Sequence, residues 1–329
     1  MPWLDYRPPL DWDHLLGFLG ARAIPGVERV EGGAYHRTVR LEGREGWLTA
    51  TPDPARARVH LALAPALRDL ARPLAARVRW LFGLDADPAL IDAHLARDPR
   101  LRAAVAARPG LRVPGFFDGF EGAARAVLGQ QVSVAAATTL AGRLVAAHGR
   151  PLAAPGPHPA LTHVPPTAAE VAALPLEALR ALGLPSARAR TLQGLAQALA
   201  SGAVALAPRA EPEAATTALL ALDGVGPWTA SYLAMRGLGH ADAFPAGDLG
   251  VRKALGGLSP AQAEAAAERW RPWRAYAVMR LWAQLAAASA PRPQPVDAAR
   301  GARLTPGSGA PARRSARASR PARGRRPPR

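Results

Sequence analysis

The stretch LDGVGPWTASYLA, residues 222–234, decides the fold of this 329-residue chain. It follows the helical pattern EAATTALLAL, so two helices over 212–236 are expected to be joined only by Gly-Val-Gly. Gly224 and Gly226 are expected to adopt backbone conformations that larger residues do not reach. Val225 can then pack between the helices while the free N–H groups that open the second helix face outward. The sequence therefore predicts a tight helical hairpin.

This hairpin is typical of a surface that binds the DNA backbone. Free N–H groups at a helix start attract a phosphate, and phosphate contacts position a protein without reading base sequence. An ordinary helical hairpin is the alternative interpretation of a Gly-x-Gly connection. The flanking residues Leu222, Pro227 and Thr229 favour the DNA-binding interpretation.

A second motif, FPAGDLGVRKAL at 244–255, follows the hairpin through a loop that contains Gly and Pro. Asp248 lies where this loop, 244–248, meets the next predicted helix. Asp is a favoured N-cap residue, and a carboxylate at a helix start is stabilised as the anion. Asp248 is therefore predicted both as a cap and as a reactive carboxylate.

A hairpin, a Gly/Pro loop and an Asp in this order resemble the helix-hairpin-helix (HhH-GPD) DNA glycosylase superfamily. Four further segments make the resemblance specific to DNA-3-methyladenine glycosylase II, over about residues 1–290. These segments are DWDHLLGFLGARAI at 11–24, LRVPGFFDGFEGAARAVLGQQVSVAAATTLAGRLV at 111–145, LRALGLPSARARTLQGLAQAL at 179–199 and AERWRPWRAYAVMRLW at 267–282.

The resemblance implies an enzyme of base excision repair that acts on double-stranded DNA. It would flip out alkylated bases such as 3-methyladenine and 7-methylguanine, hydrolyse the N-glycosidic bond and leave an abasic site. The sugar passes through an oxocarbenium-like state, which a carboxylate such as Asp248 opposes by roughly 4 kcal/mol at ~4 Å and an effective dielectric constant of about 20. Ring-alkylated purines are already cationic, so a single carboxylate is adequate for their departure.

The same resemblance implies the residues of the site. The substrate pocket is lined by Phe18, Arg22, Trp228, Tyr232, Leu249 and Trp282. The DNA is contacted by Gln131, Gly224, Gly226 and Thr229. Gln131 stands where the best-matched members insert an aliphatic wedge into the gap left by the flipped base, and Leu249 replaces an aromatic residue. Trp270 and Trp273 are predicted to be structural.

Trp228 separates two subclasses of the superfamily. Members that cleave the strand after base removal carry a Lys here, which forms a Schiff base with the sugar. The only Lys of the chain, Lys253, is expected to face solvent or phosphate. A monofunctional enzyme without abasic-site lyase activity is therefore expected.

No cofactor is expected for catalysis. The chain has no Cys, which excludes a cysteine-ligated iron–sulfur cluster, and its eight His residues lack ligand spacing. The resemblance implies one monovalent cation, Na⁺ or K⁺, held at the hairpin by the carbonyl groups of Leu220, Leu222 and Val225.

The chain is expected to fold as an α+β protein. Residues 1–84 are predicted to form a small antiparallel sheet with helices, with strands near 27–31, 34–41, 46–51 and 57–64. Residues 85–290 are predicted to form an all-helical glycosylase domain, in which 118–148 has a helical pattern and the Pro-rich stretch 151–166 is a long loop. Residues 291–329 hold eleven Arg and one acidic residue, and their Arg/Pro-rich composition predicts a disordered, polyanion-binding tail. This tail carries +10 of the net charge of +17.

The N-terminus lacks a secretory pattern and no run of 18 apolar residues occurs, so a cytoplasmic monomer without a membrane partner is expected. Two alternatives remain open. One is a glycosylase for other damaged or deaminated bases such as hypoxanthine. The other is a non-catalytic helix-hairpin-helix module that only binds DNA.

Overall fold

The computed structural model describes residues 2–208 and 210–289, so the predicted basic tail lies outside the described residues. Residues 1–289 form one compact unit in which the sheet and the helices pack together. The division predicted at residue 84 coincides with the end of a helix rather than with a gap between two bodies. As a boundary between sequence domains it stays a prediction.

The N-terminal part is a five-stranded antiparallel sheet with the strand order β1-β5-β4-β3-β2. The strands are β1 (Trp3–Asp5), β2 (Glu28–Glu31), β3 (Ala34–Leu41), β4 (Arg44–Asp53) and β5 (Arg58–Leu63). Strand β5 alternates strictly, so Val59, Leu61 and Leu63 enter the core while their neighbours stay accessible. The sequence predicted four of these strands. It missed β1, because three residues are too few to show an alternating pattern.

Helices make up most of the remaining chain. They are α1 (Trp12–Gly20), α2 (Ala71–Phe82), α3 (Pro88–Leu95), α4 (Pro99–Ala107), α5 (Gly119–Leu128), α6 (Val134–His148), α7 (Ala168–Ala172), α8 (Leu176–Ala181), α9 (Ser186–Ala200), α10 (Pro212–Leu220), α11 (Pro227–Leu233), α12 (Leu249–Ala254), α13 (Pro260–Ala267) and α14 (Arg274–Ser289). A π-helical turn, Ala234–Leu238, extends α11, and short 3-10 turns occupy Pro54–Arg56, Pro65–Leu70 and Glu268–Trp270. The predicted α+β class, with an antiparallel sheet followed by a helical domain, is confirmed.

Two expectations need correction. The helical pattern over 118–148 is two helices, α5 and α6, because Ser133 caps a new helix by accepting a hydrogen bond from the Ala136 N–H. The segment 151–166, predicted to be a loop, is closed at its ends by two short paired strands, β6 (Arg150–Pro151) and β7 (His163–Val164).

The fold brings the two ends of the described chain together. Helix α1 and helix α14 share one hydrophobic core, in which Leu15 and Val278 are fully buried. Trp270 is also fully buried, and its indole N–H donates to Asp98 at 2.8 Å, as expected for a structural residue. Within the described residues, no helix is both long and apolar enough to cross a membrane.

Candidate active site

Asp248 is held by three hydrogen-bond donors at the start of α12. As the N-cap, its Oδ1 accepts the backbone N–H of Val251 at 2.8 Å. The indole N–H of Trp282 donates to the same oxygen at 2.9 Å, and that of Trp228 donates to Oδ2 at 2.8 Å. Both carboxylate oxygens are thus fixed by side chains from α11 and α14, so the predicted cap and the predicted reactive group are one residue.

Next to this carboxylate, two nearly parallel rings face each other. Phe18 on α1 and Trp282 on α14 have centroids 6.5 Å apart and planes inclined by 15°. Carbon atoms pack at about 3.5–4.0 Å, so the separation is close to that of two rings with one flat molecule between them. We call the space between Phe18 and Trp282 the ring slot. Its width suits a single planar heterocycle.

Helix α11 supplies another wall. Trp228 and Tyr232 are four residues apart and therefore share one helix face, where their rings stack at 5.4 Å and 11°. Tyr232 also lies 6.4 Å from Trp282. The predicted pocket residues Phe18, Trp228, Tyr232 and Trp282 are therefore brought together around Asp248.

Leu249 behaves differently from the other predicted pocket residues. It follows Asp248 in the chain, but its side chain is 77% exposed. Leu249 therefore takes no part in the ring contacts around Asp248, and its place in the pocket stays a prediction. Gly250 is closer to the Asp248 carboxylate, because a Cβ there would lie 3.0 Å from Asp248 Oδ1 and 3.1 Å from Trp282 Cδ1.

Two arginines close the inner side of the pocket. The Cζ atom of Arg22 lies 3.8 Å from the Phe18 centroid, and its Nη1 donates to the Phe18 carbonyl at 3.2 Å. Arg236 is only 4% exposed and donates to the Tyr232 hydroxyl at 2.5 Å and to the Pro114 carbonyl at 2.8 Å. Arg22 was expected from the sequence, whereas Arg236 was missed, although it lies on the face of Trp228 and Tyr232, four residues further on.

These charges change the proton affinities of the pocket. Burial lowers the pKa of Arg22 to about 10, which leaves it protonated at neutral pH. Burial alone would raise the pKa of the Tyr232 phenol, but the positive charges of Arg236 and Arg22 outweigh it and lower that pKa. The inner wall of the pocket is therefore strongly electropositive.

In the hairpin, one glycine meets the prediction and the other does not. Gly224 has φ +79°, and a Cβ there would lie 2.0 Å from Thr191 Oγ1, so only glycine fits. Gly226 has an ordinary extended conformation with φ −89°, and a Cβ there would meet no atom within 4 Å. The expectation that Gly226 needs a special conformation is therefore wrong. Its lack of a side chain leaves the start of α11 open.

The other predicted DNA contacts, Gln131 and Thr229, lie in the turn between α5 and α6 and in the first turn of α11. Gln131 is exposed between α5 and α6 and has φ +57°, in the left-handed region that few non-glycine residues adopt. Its neighbour Gln130, which sequence reasoning missed, donates to the Gly224 carbonyl at 2.9 Å and to Thr229 Oγ1 at 3.1 Å. The Thr229 side chain is thereby buried and bound within the protein, so any DNA contact by Thr229 falls to its backbone N–H.

The implied monovalent cation has partial support from the backbone. Leu220 ends α10, where carbonyl groups lack intrahelical donors and suit a cation. The Leu222 carbonyl, however, already accepts the Val225 N–H at 3.0 Å. Among the described residues no group of three or more His, Asp or Glu could hold a metal ion. The cation stays a prediction.

The chain is similar to known proteins over most of its length. Residues 3–118 match the family model of the AlkA N-terminal domain, and 124–274 that of the HhH-GPD superfamily base excision DNA repair protein. A probable bifunctional transcriptional activator/DNA repair enzyme AlkA of Mycobacterium tuberculosis is 47% identical over 286 residues, 86% of this chain. This chain spans 56% of the length of that relative.

Two other relatives match along nearly their whole length. DNA-3-methyladenine glycosylase 2 of Escherichia coli is 39% identical over 279 residues, which are 85% of this chain and 95% of the relative. The solved 3-methyladenine DNA-glycosylase from Archaeoglobus fulgidus superposes with a TM-score of 0.74 at 23% identity, covering 86% of this chain and 98% of its own, and supports the fold. The sequence resemblance is thus confirmed, and the chain belongs to the DNA-3-methyladenine glycosylase 2 family of the HhH-GPD superfamily.

Proposed function

We propose that this chain is a monofunctional DNA glycosylase that removes alkylated bases from double-stranded DNA. The E. coli relative carries the name of that activity. The observation that supports it best is the Asp248 carboxylate, which both indole N–H groups fix beside the ring slot. A flat base held between Phe18 and Trp282 would place its sugar next to this carboxylate.

The reaction follows from the charges of the site. A flipped, alkylated purine is cationic and is attracted by the faces of the aromatic walls. As the C1′–N bond breaks, its electron pair passes to the base, which leaves neutral, and the sugar becomes oxocarbenium-like. Asp248 stabilises this positive charge, and a water oxygen then bonds to C1′ while its proton passes to the carboxylate or to solvent. The products are a free base and an abasic site.

Replacement of Asp248 by Asn tests the proposal. Asn keeps the size and the cap but removes the negative charge, so release of 3-methyladenine and 7-methylguanine from methylated duplex DNA should fall at least ~100-fold. Affinity for a duplex that contains an abasic-site analogue should be retained. If the wild-type protein is folded and releases neither base, it is instead a DNA-binding module or a glycosylase for other lesions. An unchanged rate in the variant would exclude Asp248 as the driving group.

The absence of a lyase step is a second part of the proposal. Trp228 occupies the position at which lyases carry their Lys, and Lys253 lies exposed near the end of α12. A Schiff base needs an amine at the sugar. Treatment with borohydride during turnover should therefore trap no covalent protein–DNA adduct, whereas an adduct would contradict this assignment.

We further infer that the backbone carbonyls of Leu220, Leu222 and Val225 hold a monovalent cation when DNA is bound. Such an ion would supply positive charge for a phosphate at the hairpin. The end of α10 supports this inference, because its last carbonyl groups point away from their own helix.

A further inference from the structure

The turn between α5 and α6 is a continuous exposed segment. Residues 131–135, which we call the exposed turn, are all open to solvent. Gln131 has φ +57°, a region in which a non-glycine residue persists only when neighbouring contacts hold it there. Since the side chains of the exposed turn face solvent, the contacts that hold Gln131 lie at the base of the turn.

Gln130 joins the base of the exposed turn to the hairpin. Its side-chain Nε2 donates to the Gly224 carbonyl at 2.9 Å and to Thr229 Oγ1 at 3.1 Å, which uses both protons of the amide. Gly224 belongs to the loop of the hairpin, and Thr229 belongs to the first turn of α11. One side chain therefore fixes the exposed turn against both parts of the hairpin.

Arg188 on α9 fixes the peptide group that precedes Gln131. Its Nη2 donates to the Gln130 carbonyl at 2.6 Å. Because a peptide group is planar, the orientation of that carbonyl limits the backbone conformation of Gln131. The same helix packs against the hairpin, since a Cβ at Gly224 would lie 2.0 Å from Thr191 Oγ1. Helix α9 thus holds the exposed turn and the hairpin at a fixed distance from each other.

This rigid connection matters for a protein that has to open a duplex. Removal of a base from the stack costs pairing and stacking energy. A group that enters the stack contributes most when its position is already fixed, because ordering it during binding then costs little free energy. Through Gln130, the exposed turn has a fixed position relative to the start of α11, where the sequence predicts a phosphate contact. DNA bound at that point would meet Gln131 in a preset position.

We propose that Gln130 and Arg188 are positioning residues for base flipping, which hold Gln131 in place to enter the duplex when the hairpin binds its backbone. This inference rests on the glycosylase function proposed above and concerns the step before the chemistry. The hydrogen bonds of both side chains lead to the exposed turn and the hairpin, and not to Asp248. Their contribution is therefore confined to lesions whose base pair must first be opened.

The test compares one lesion, 7-methylguanine, in two duplexes at saturating protein in single turnover. In the first duplex the lesion is paired with cytosine, and in the second it lies opposite an abasic-site analogue, where no base pair has to open. Gln130→Met and Arg188→Met should each slow release from the paired duplex by about 10-fold, and from the unpaired duplex by less than about threefold. Arg188→Lys keeps a charged donor and should retain most of the wild-type rate on both.

A double-mutant comparison shows whether Gln130 acts through Gln131. Gln131→Ala should itself slow release from the paired duplex. Residues that act in one step are not additive, so Gln130→Met combined with Gln131→Ala should be about as slow as Gln131→Ala alone. Losses that multiply in the combined variant would overturn the proposal. An unchanged rate for Gln131→Ala on the paired duplex would also overturn it.

Two matched controls lie on α9. Gln193 Nε2 donates to the Leu174 carbonyl at 2.7 Å, so Gln193→Met removes the same kind of hydrogen bond at a distance from the exposed turn. Arg190 is exposed two residues after Arg188, so Arg190→Met removes the same charge from the same helix. Both controls should stay within about twofold of wild type on both duplexes. Equal losses on the two duplexes for the Gln130 and Arg188 variants would overturn the proposal and indicate a purely structural role.

A second readout does not depend on base release. The fluorescence of 2-aminopurine placed beside the lesion rises when the stack opens, and the rise on binding should be smaller for Gln130→Met and Arg188→Met than for wild type. An equal rise in all three proteins would overturn the proposal. A wild-type protein that opens the stack but releases no 7-methylguanine would contradict the proposed glycosylase function alone, because the fluorescence comparison would still decide the positioning role.

Discussion

At the scale of single residues, the geometry of the site depends on Gly250, which has no side chain that could take part in a reaction. Gly250 leaves just enough room for the Asp248 carboxylate and the Trp282 indole to meet, as a Cβ would lie 3.0–3.2 Å from their atoms. Gly250→Ala should therefore push Trp282 away by a few tenths of an ångström and weaken its hydrogen bond to Asp248. Since small displacements at a reacting centre are costly, we expect base release to fall by roughly 10-fold, measured in single turnover.

The control for this substitution is a glycine whose surroundings have room for a methyl group. A Cβ at Gly194 on α9 would meet no atom within 4 Å, and alanine favours helix. Gly194→Ala should leave the rate within about twofold of wild type. A Gly250→Ala enzyme as fast as wild type would show that the contact between Trp282 and Asp248 does not limit the reaction.

At the scale of elements, two glycines of the hairpin between α10 and α11 are expected to have different roles. Gly224 is expected to matter for the stability of the fold, and Gly226 for the affinity for DNA. Gly224→Ala places a Cβ 2.0 Å from Thr191 Oγ1 at φ +79°, so we expect a loss of roughly 2–4 kcal/mol in the free energy of unfolding. Gly226→Ala meets no atom within 4 Å and should change that free energy by less than about 0.5 kcal/mol. Its methyl group would stand at the start of α11, where the sequence predicts a phosphate contact.

Two measurements distinguish these effects. Thermal or denaturant unfolding should detect the Gly224 substitution, and fluorescence anisotropy with duplex DNA should detect the Gly226 substitution as a several-fold weaker affinity. If Gly226→Ala binds DNA as tightly as the wild-type protein, the start of α11 is not a phosphate site. If Gly224→Ala unfolds like wild type, the loop accommodates the methyl group by moving.

At the scale of the whole molecule, a buried ion pair joins the sheet to the helical part. Arg37 on β3 donates to Glu121 on α5 at 2.8 Å, and both side chains are almost inaccessible. Burial raises the pKa of Glu121 from 4.5 to about 7, with Arg37 opposing and Glu28 adding to the rise. Between these two pH values the unfolded chain loses a proton that the folded protein keeps. The stability of the folded protein should therefore fall as the pH rises through this range.

Glu121→Gln provides the comparison, because Gln has nearly the same shape and does not titrate. We expect the free energy of unfolding of the wild-type protein, relative to this variant, to fall between about pH 4.5 and about pH 7 by at most roughly 3 kcal/mol. Urea unfolding at several pH values measures this difference. A difference that stays constant, or that grows with pH, would show that Glu121 is ionised over the whole range.

Much of this protein was determined by local sequence. Helix caps, turn glycines and the alternating or helical spacing of apolar residues are signals that act over a few positions. Strands β2 to β5 and most of the helices could therefore be predicted from them. The loop that ends at Asp248 was identified from its own residues, and the aromatic residues of the pocket were predicted by resemblance, which also relies on short segments. Strand β1 was too short for any pattern, and the break between α5 and α6 was obscured by a helical composition that continues through it.

Only the tertiary structure decided how distant residues meet. The ring slot joins Phe18 with Trp282, residues from opposite ends of the described chain. The carboxylate of Asp248 gains its two indole donors in the same way. Arg236 became visible as part of the pocket only when its contacts with Phe18 and Tyr232 were seen. Spacing along a helix indicates which residues share a face, but packing between elements determines which charges, rings and donors face one another, and the chemistry of the site depends on that.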